Sequence, residues 1–163
     1  MAISTVIKHL HDGKITLSDG TGTPVTLVVP FSAGDLSISG LQETQNAVNK
    51  YESRGVLHTV RHGARSFPSG SFSFMVPEYT NSSIGVAIDF ALQQNAYSAN
   101  ISTLVPTEVY AFDIILETEG TDLADGKDHL ITMTDCVCTL DVSEGEPNSA
   151  TLSFECLGTV TYT

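Results

Sequence analysis

Residues 130–161 read as one long antiparallel hairpin whose two arms mirror each other about Glu146. Folding about that point sets Cys136 opposite Cys156, Cys138 opposite Phe154, Leu140 opposite Leu152 and Val142 opposite Ala150. Strand residues two apart share a face, so all of these lie together on one apolar side. The other side carries Asp135, Val137, Thr139 and Asp141 on one arm and Thr151, Ser153, Glu155 and Leu157 on the other, polar and acidic with no base. The apolar phase slips along the first arm, from Ile131 and Met133 at odd positions to Cys136, Cys138 and Leu140 at even ones. That slip predicts a bulge near Thr134 and Asp135, or burial of both faces at that end of the strand.

The rest of the chain is read against this hairpin. Ile15 and Leu17, then Val25, Leu27, Val29 and Phe31 beyond Pro24, alternate with polar residues and predict a first hairpin. Residues 36–39 give a short strand. Residues 42–51 are amide-rich and nearly without core residues; Leu41, Val48 and Tyr51 share a helical face and allow a short helix, but a projecting loop or ribbon over 42–55 fits better, with Val48 and Tyr51 available to dock. Val56 to Arg61 alternates as a strand, and so does the stretch containing Phe72, Phe74 and Val76. One helix is expected over 84–94 behind the cap candidates Thr80, Asn81, Ser82 and Ser83. Its Ile84, Ile88, Ala91 and Leu92 would face a sheet, leaving Val86 and Phe90 on an outer flank suited to a subunit interface. A last strand over 109–118 places Tyr110, Phe112, Ile114 and Leu116 inward and Asp113 and Glu117 outward.

With 163 residues, 41% of them hydrophobic and 16% charged, residues 1–163 suffice for a single domain with its own core. A net charge of -12 argues against a basic nucleic-acid-binding surface, since such affinity is drawn from Lys and Arg. The acids crowd into the C-terminal part, whereas Lys50, Arg54, Arg61 and Arg65 outnumber Glu52 in the segment after the ribbon begins. That asymmetry suits either an uneven solvated surface or head-to-tail association of copies, basic segment to acidic segment. Three cysteines is an odd number, and their ordinary role is as small core residues. Pairing of Cys136 with Cys156 would permit a disulfide, but the geometry is demanding and a reducing compartment would not keep it. The N-terminus lacks the pattern of a secretory signal and no stretch reaches membrane-spanning length, so the expected product is soluble and made in a cytoplasm.

Motifs that carry chemistry are missing. Neither Gly-Lys pair has the frame of a phosphate loop, and Pro68-Ser69-Gly70-Ser71 lacks the first glycine of a nucleophile elbow. His58 with His62, and His9 with His11, could be imagined as a metal site, but they lack the spacing and carboxylate support of zinc motifs. Asp122, Asp125 and Asp128 do not keep the calcium-loop register. No catalytic residues, metal or cofactor are expected.

The succession Val109-Tyr-Ala-Phe-Asp-Ile-Ile-Leu-Glu-Thr-Glu-Gly-Thr-Asp, then His129-Leu-Ile-Thr-Met-Thr-Asp-Cys-Val-Cys-Thr-Leu-Asp-Val-Ser-Glu-Gly-Glu-Pro, then Ala150-Thr-Leu-Ser-Phe-Glu-Cys resembles the major tail tube protein of long-tailed, siphovirus-like bacteriophages. The early strand at Gly34-Asp35-Leu36-Ser37-Ile38, the long segment after Leu41 and the single helix extend the likeness over most of the chain. The resemblance implies a mainly β fold of two packed antiparallel sheets, a sandwich or barrel, flanked by one α-helix. It also implies hexameric rings stacked into a tube within the virion tail, with a tape-measure protein and a tail terminator as further partners. DNA would pass through the lumen during ejection without specific binding, along a wall for which Asp113, Glu117, Asp135, Asp141 and Glu155 are the candidates. Lys50, Tyr51, Arg54, Arg61 and Arg65 would form inter-ring or inter-subunit contacts. Other readings are a secretion-system tube of the hemolysin-coregulated type, a monomeric β-sandwich binding module, and a small metal enzyme using His58 and His62.

Overall fold

The structure, a computed structural model, describes residues 13–20, 23–29, 33–41, 48–63, 66–75, 85–92, 109–118 and 126–163. Ten strands and one helix occur among them: β1 (Lys14–Ser18), β2 (Thr26–Val28), β3 (Ser37–Ser39), β4 (Val48–Ser53), β5 (Val56–His62), β6 (Ser69–Met75), α1 (Gly85–Leu92), β7 (Phe112–Thr118), β8 (His129–Ser143), β9 (Ser149–Cys156) and β10 (Val160–Tyr162). The fold is mainly β, with two antiparallel sheets and one short helix, as expected. Seven strands run in the order β2-β1-β7-β8-β9-β6-β3, β10 adds to β8, and β4 and β5 form a separate two-stranded ribbon. No closed barrel forms among the described residues.

β8 is the spine, because its 15 residues serve two half-sheets in turn. Its first half pairs with β7 and β10, and its second half with β9, in the register the mirrored sequence predicts: Cys136 opposite Cys156, Cys138 opposite Phe154, Leu140 opposite Leu152, Val142 opposite Ala150. The expected bulge is present. Phe112 stands opposite Cys136 and Ile114 opposite Met133, so Thr134 and Asp135 together oppose Asp113, and Asp135 takes a left-handed backbone with φ of 53°. One extra residue changes which parity points inward, so Ile131 and Met133 before it and Cys136, Cys138 and Leu140 after it all face the same core.

That core is a single cluster containing Ile15, Leu17, Leu27, Phe112, Ile114, Leu116 and Met133 from one half-sheet and Phe72, Phe74, Ala150, Leu152, Phe154 and Cys156 from the other. Burial alternates residue by residue along β7 and β9, which is the signature of a sheet with one buried face. Gly70, on β6, stands opposite Ile38 of β3 and Phe154 of β9, and a Cβ there would collide with the Ser37 carbonyl.

The helix corrects the expected orientation. Phe90 is 0% exposed and packs edge-on against Phe112, with ring centroids 4.6 Å apart, and against Tyr110, whereas Leu92, expected on the sheet side, is 59% exposed. Eight residues with a single charged side chain offer no polar face to set the rotation, so the largest ring takes the core. Phe90 is therefore not an outer-flank residue. The side chain of Val86 lies outside the described residues, as do Phe31, Val76, the cap candidates and residues 42–47.

Two substitutions test this frame. Asp135→Gly should fold with unchanged or higher urea midpoint, because glycine adopts φ of 53° without a Cβ clash, whereas Asp135→Val should cost about 1–2 kcal/mol. Gly70→Ala should lose about 1–3 kcal/mol, since its Cβ would meet Phe154 Cζ at 2.7 Å.

Candidate functional site

The face of the second half-sheet that points away from the core is built almost wholly of hydroxyls. In β9 the alternates to the buried residues are Thr151, Ser153 and Glu155, and the register aligns them with partners on both sides. One row reads Ser39, Ser69, Glu155, Val137; the next Ser37, Ser71, Ser153, Thr139; the third Ser73, Thr151, Asp141. Ser73 and Thr151 hydroxyls lie 3.1 Å apart, and Ser39 Oγ donates to the Ser69 carbonyl at 3.2 Å. Asp35 Oδ1 accepts the Ser73 amide at 2.8 Å, which holds the Asp35 carboxyl below its ordinary range. The charged side chains in these rows are Asp141 and Glu155, both exposed, and no cation stands among them.

Asp113, Glu117 and Asp135 occupy the adjoining part of the same outward face, beside the first half of β8. Glu117 is paired: Lys14 Nζ lies 2.9 Å from its Oε1 across the β1–β7 ladder, an exposed ion pair worth at most about 1 kcal/mol. Asp113 Oδ1 accepts the Asp135 backbone N–H at 3.2 Å, tying the carboxylate to the bulge. Burial raises the Asp113 carboxyl above its ordinary range, the hydrogen bond from Asp135 opposes that, and the charges of Asp135 and the buried Asp19 add to it. Glu117 is thus ion-paired and Asp113 partly desolvated, whereas Asp141 and Glu155 on the hydroxyl face are exposed.

The third surface is the ribbon. Ser53 and Val56 flank a two-residue turn in which Arg54 and Gly55 both have positive φ, 53° and 80°, the backbone of a type I′ hairpin. Every side chain described from Asn49 to Arg61 is exposed, including Tyr51 at 51% and Val56 at 70%. Lys50 opposes Val60 on one face; Tyr51 opposes Thr59 and Asn49 opposes Arg61 on the other; Arg54 is at the tip. The register breaks after Tyr51, leaving His58 as the extra residue. Two isolated strands are marginal in water, and this ribbon leaves apolar side chains bare on both faces. Arg65 lies outside the described residues.

The structure places Asp141 and Glu155 on one outward sheet face, and Asp113 and Asp135 together at the bulge. Sequence reading missed the Lys14 partner of Glu117, which depends on a pairing about a hundred residues away in sequence. It placed Thr139, Thr151 and Ser153, and likewise Ser71 and Ser73, on outward faces but did not join them into rows, which need the β6–β9 pairing. His58 is exposed on the ribbon and His129 stacks on Tyr162 with centroids 5.3 Å apart. No three metal-ligating side chains converge among the described residues, and His9, His11, Asp122 and Asp125 fall outside them. No helix among the described residues is long and apolar enough to cross a membrane.

No family's sequence profile matches the chain, and no curated protein matches it by sequence. Solved structures do match in fold. A chain of the sheath–tube complex of an extracellular contractile injection system, PVC, in the extended state superposes with a TM-score of 0.59 at 11% identity, over 99% of this chain and 99% of that one. A chain of the tube-terminating cap of the anti-feeding prophage gives 0.59 at 15% identity, over 100% and 94%. One from the 6-fold symmetrised baseplate of the same particle gives 0.52 at 11%, over 100% and 97%. At these identities the likeness establishes a shared fold over the whole length.

The raised Asp113 carboxyl has a definite consequence for pH. Its folded form binds a proton more tightly than the unfolded chain does, so stability falls as pH rises from the unfolded aspartate value near 3.9 through the higher folded value. Asp113→Asn keeps the acceptor for the Asp135 amide and removes the charge. It should therefore be more stable than the parent at pH 7, with the advantage fading toward pH 3, as measured by urea unfolding across that range.

Proposed function

We propose that this chain is the ring-forming subunit of a tail-type tube, six copies to a ring and rings stacked end to end. The observation that carries the reading is the fold likeness over nearly the full length of chains from a sheath–tube complex, a tube cap and a baseplate. Two physical features support it. The large sheet is open at β2 and β3 among the described residues, and the second half of β8 is unpaired on the side where β7 ends. Exposed edges invite pairing with other chains, and closing them around a ring satisfies them without runaway aggregation.

In this reading the hydroxyl rows with Asp141 and Glu155 form the lumen wall, and Asp113, Glu117 and Asp135 lie on its continuation. Short hydroxyl side chains and unpaired carboxylates give a transiting polyanion no cation to bind, so DNA passes without the counterion-release attraction that would arrest it. The ribbon, with Lys50, Tyr51, Arg54 and Arg61, and with Arg65 following it, is the arm that meets the acidic body of the next ring. A tape-measure protein inside the tube and a terminator at its end are the further partners. The role is structural, in the tail of a virion or a particle built like one, assembled in a host cytoplasm.

Electron microscopy of the purified chain tests the assembly. Tubes or six-fold rings are expected, and a monomer at all concentrations would overturn the reading. Arg54→Glu with Arg61→Glu should leave the subunit folded but stop rings from stacking, and unchanged tubes would count against the arm. Ser71→Lys with Ser153→Lys should still give tubes, now retaining DNA in a salt-dependent way; tubes as inert as the parent would remove those rows from the lumen.

A further inference from the structure

Cys136 and Cys156 face each other across β8 and β9, both 0% exposed and both thiols. The Cys156 amide donates to the Pro68 carbonyl at 2.7 Å, on the β6 side. In an antiparallel ladder a residue's N–H and C=O point to the same neighbour, so Cys156 makes no ladder bond to β8 and its pairing with Cys136 is of the non-hydrogen-bonded kind. Such pairs hold their Cα atoms about 4.5 Å apart, within the roughly 4.4–6.8 Å that a disulfide spans. Cys138 is excluded as a partner for either. It faces Phe154 across the ladder, and two residues along an extended strand separate it from Cys136 by about 7 Å.

Each thiol is tethered at the bulge. Cys156 Sγ donates to the Thr134 carbonyl at 3.2 Å, and Cys136 Sγ to the Met133 carbonyl at 3.6 Å. Residues 157–159 are clamped to the bulge beside them: Cys156 Sγ lies 3.8 Å from the Thr159 carbonyl, the Leu157 amide bonds the Asp135 carbonyl at 3.0 Å, the Gly158 amide bonds the Thr134 carbonyl at 3.2 Å, and the Thr159 amide bonds Thr134 Oγ1 at 2.9 Å.

We propose that Cys136 and Cys156 form a latent cross-strand disulfide site, reduced behind this clamp and closed by exchange with a low-molecular-weight disulfide when the clamp opens. The two thiols give up two protons and two electrons as the Sγ–Sγ bond forms. The oxidant's own S–S bond breaks, and it leaves as two thiols. Exchange needs a thiolate, and burial, reinforced by the neighbouring Cys156, holds the Cys136 thiol far above its ordinary range, so the closed protein reacts slowly. Cys138, pushed up to about 11 by burial, is a matched control with no partner in reach. Closing the bond pins β8 to β9 where the two half-sheets meet.

The test uses the full chain with oxidised glutathione at pH 8, alkylation of remaining thiols, digestion and mass spectrometry. The expected product joins the Cys136 and Cys156 peptides, two hydrogens lighter, with Cys138 alkylated, and it reverts in dithiothreitol. Cys138→Ser should link equally well. Gly158→Ala, whose Cβ would meet Thr134 Oγ1 at 2.5 Å and must loosen the clamp, should link severalfold faster. The linked protein should melt roughly 5–10 °C higher. Links through Cys138, glutathione adducts as the end product, or no 136–156 link in Gly158→Ala even when amide exchange shows residues 157–159 opening would each overturn the site.

Discussion

A single extra residue in β8 decides the architecture. Without the left-handed step at Asp135, a strand carrying Met133 inward would turn Cys136, Cys138 and Leu140 out, and only one of the two half-sheets could bury its apolar side. With it, β7, β1 and β2 on one half and β9, β6 and β3 on the other share one core through a continuous backbone ladder. The cost of a non-glycine residue at positive φ is small beside the side chains it keeps buried, and aspartate tolerates that conformation better than most. The Asp113 carboxylate accepting the Asp135 amide is the local support for the bend.

Much of this frame was readable from the chain. The mirrored apolar pattern gave the register of β8 and β9 residue by residue because the turn at Glu146 fixes its centre, and the phase slip located the bulge because one extra residue inverts a period of two. The helix was less readable. Gly85–Leu92 is apolar on nearly every side, so periodicity assigned Phe90 to the outside when its ring fills the space against Phe112. Long-range pairings were invisible for another reason: nothing local in Lys14 or Glu117 announces that β1 lies beside β7. The candidate wall was half seen, its acids recognised on β8 and β9 and its serines on β3 and β6 not joined to them.

The outward surface divides according to what its charges meet. Beside β1 and β7 the carboxylates are engaged, Glu117 with Lys14 and Asp113 with a backbone amide in a partly desolvated setting. Over β6 and β9 they stand in water among hydroxyls. Cations are concentrated instead on the ribbon, which reaches out with three of them against one carboxylate between Val48 and His62. Acid on the body and base on the extension are the charge arrangement that the proposed stacking of rings would use.

The turn at the ribbon's end carries a tension between local chemistry and charge. A type I′ corner favours asparagine or glycine at its first central position, and this chain puts arginine there, at φ of 53°. Hairpin strength has been traded for a guanidinium held at the farthest point of the strand pair, where five N–H donors can fan toward planar acceptors. The ribbon thus ends in a cation set on a strained corner, and in the proposed tube a carboxylate surface on the next ring is what such a tip would meet.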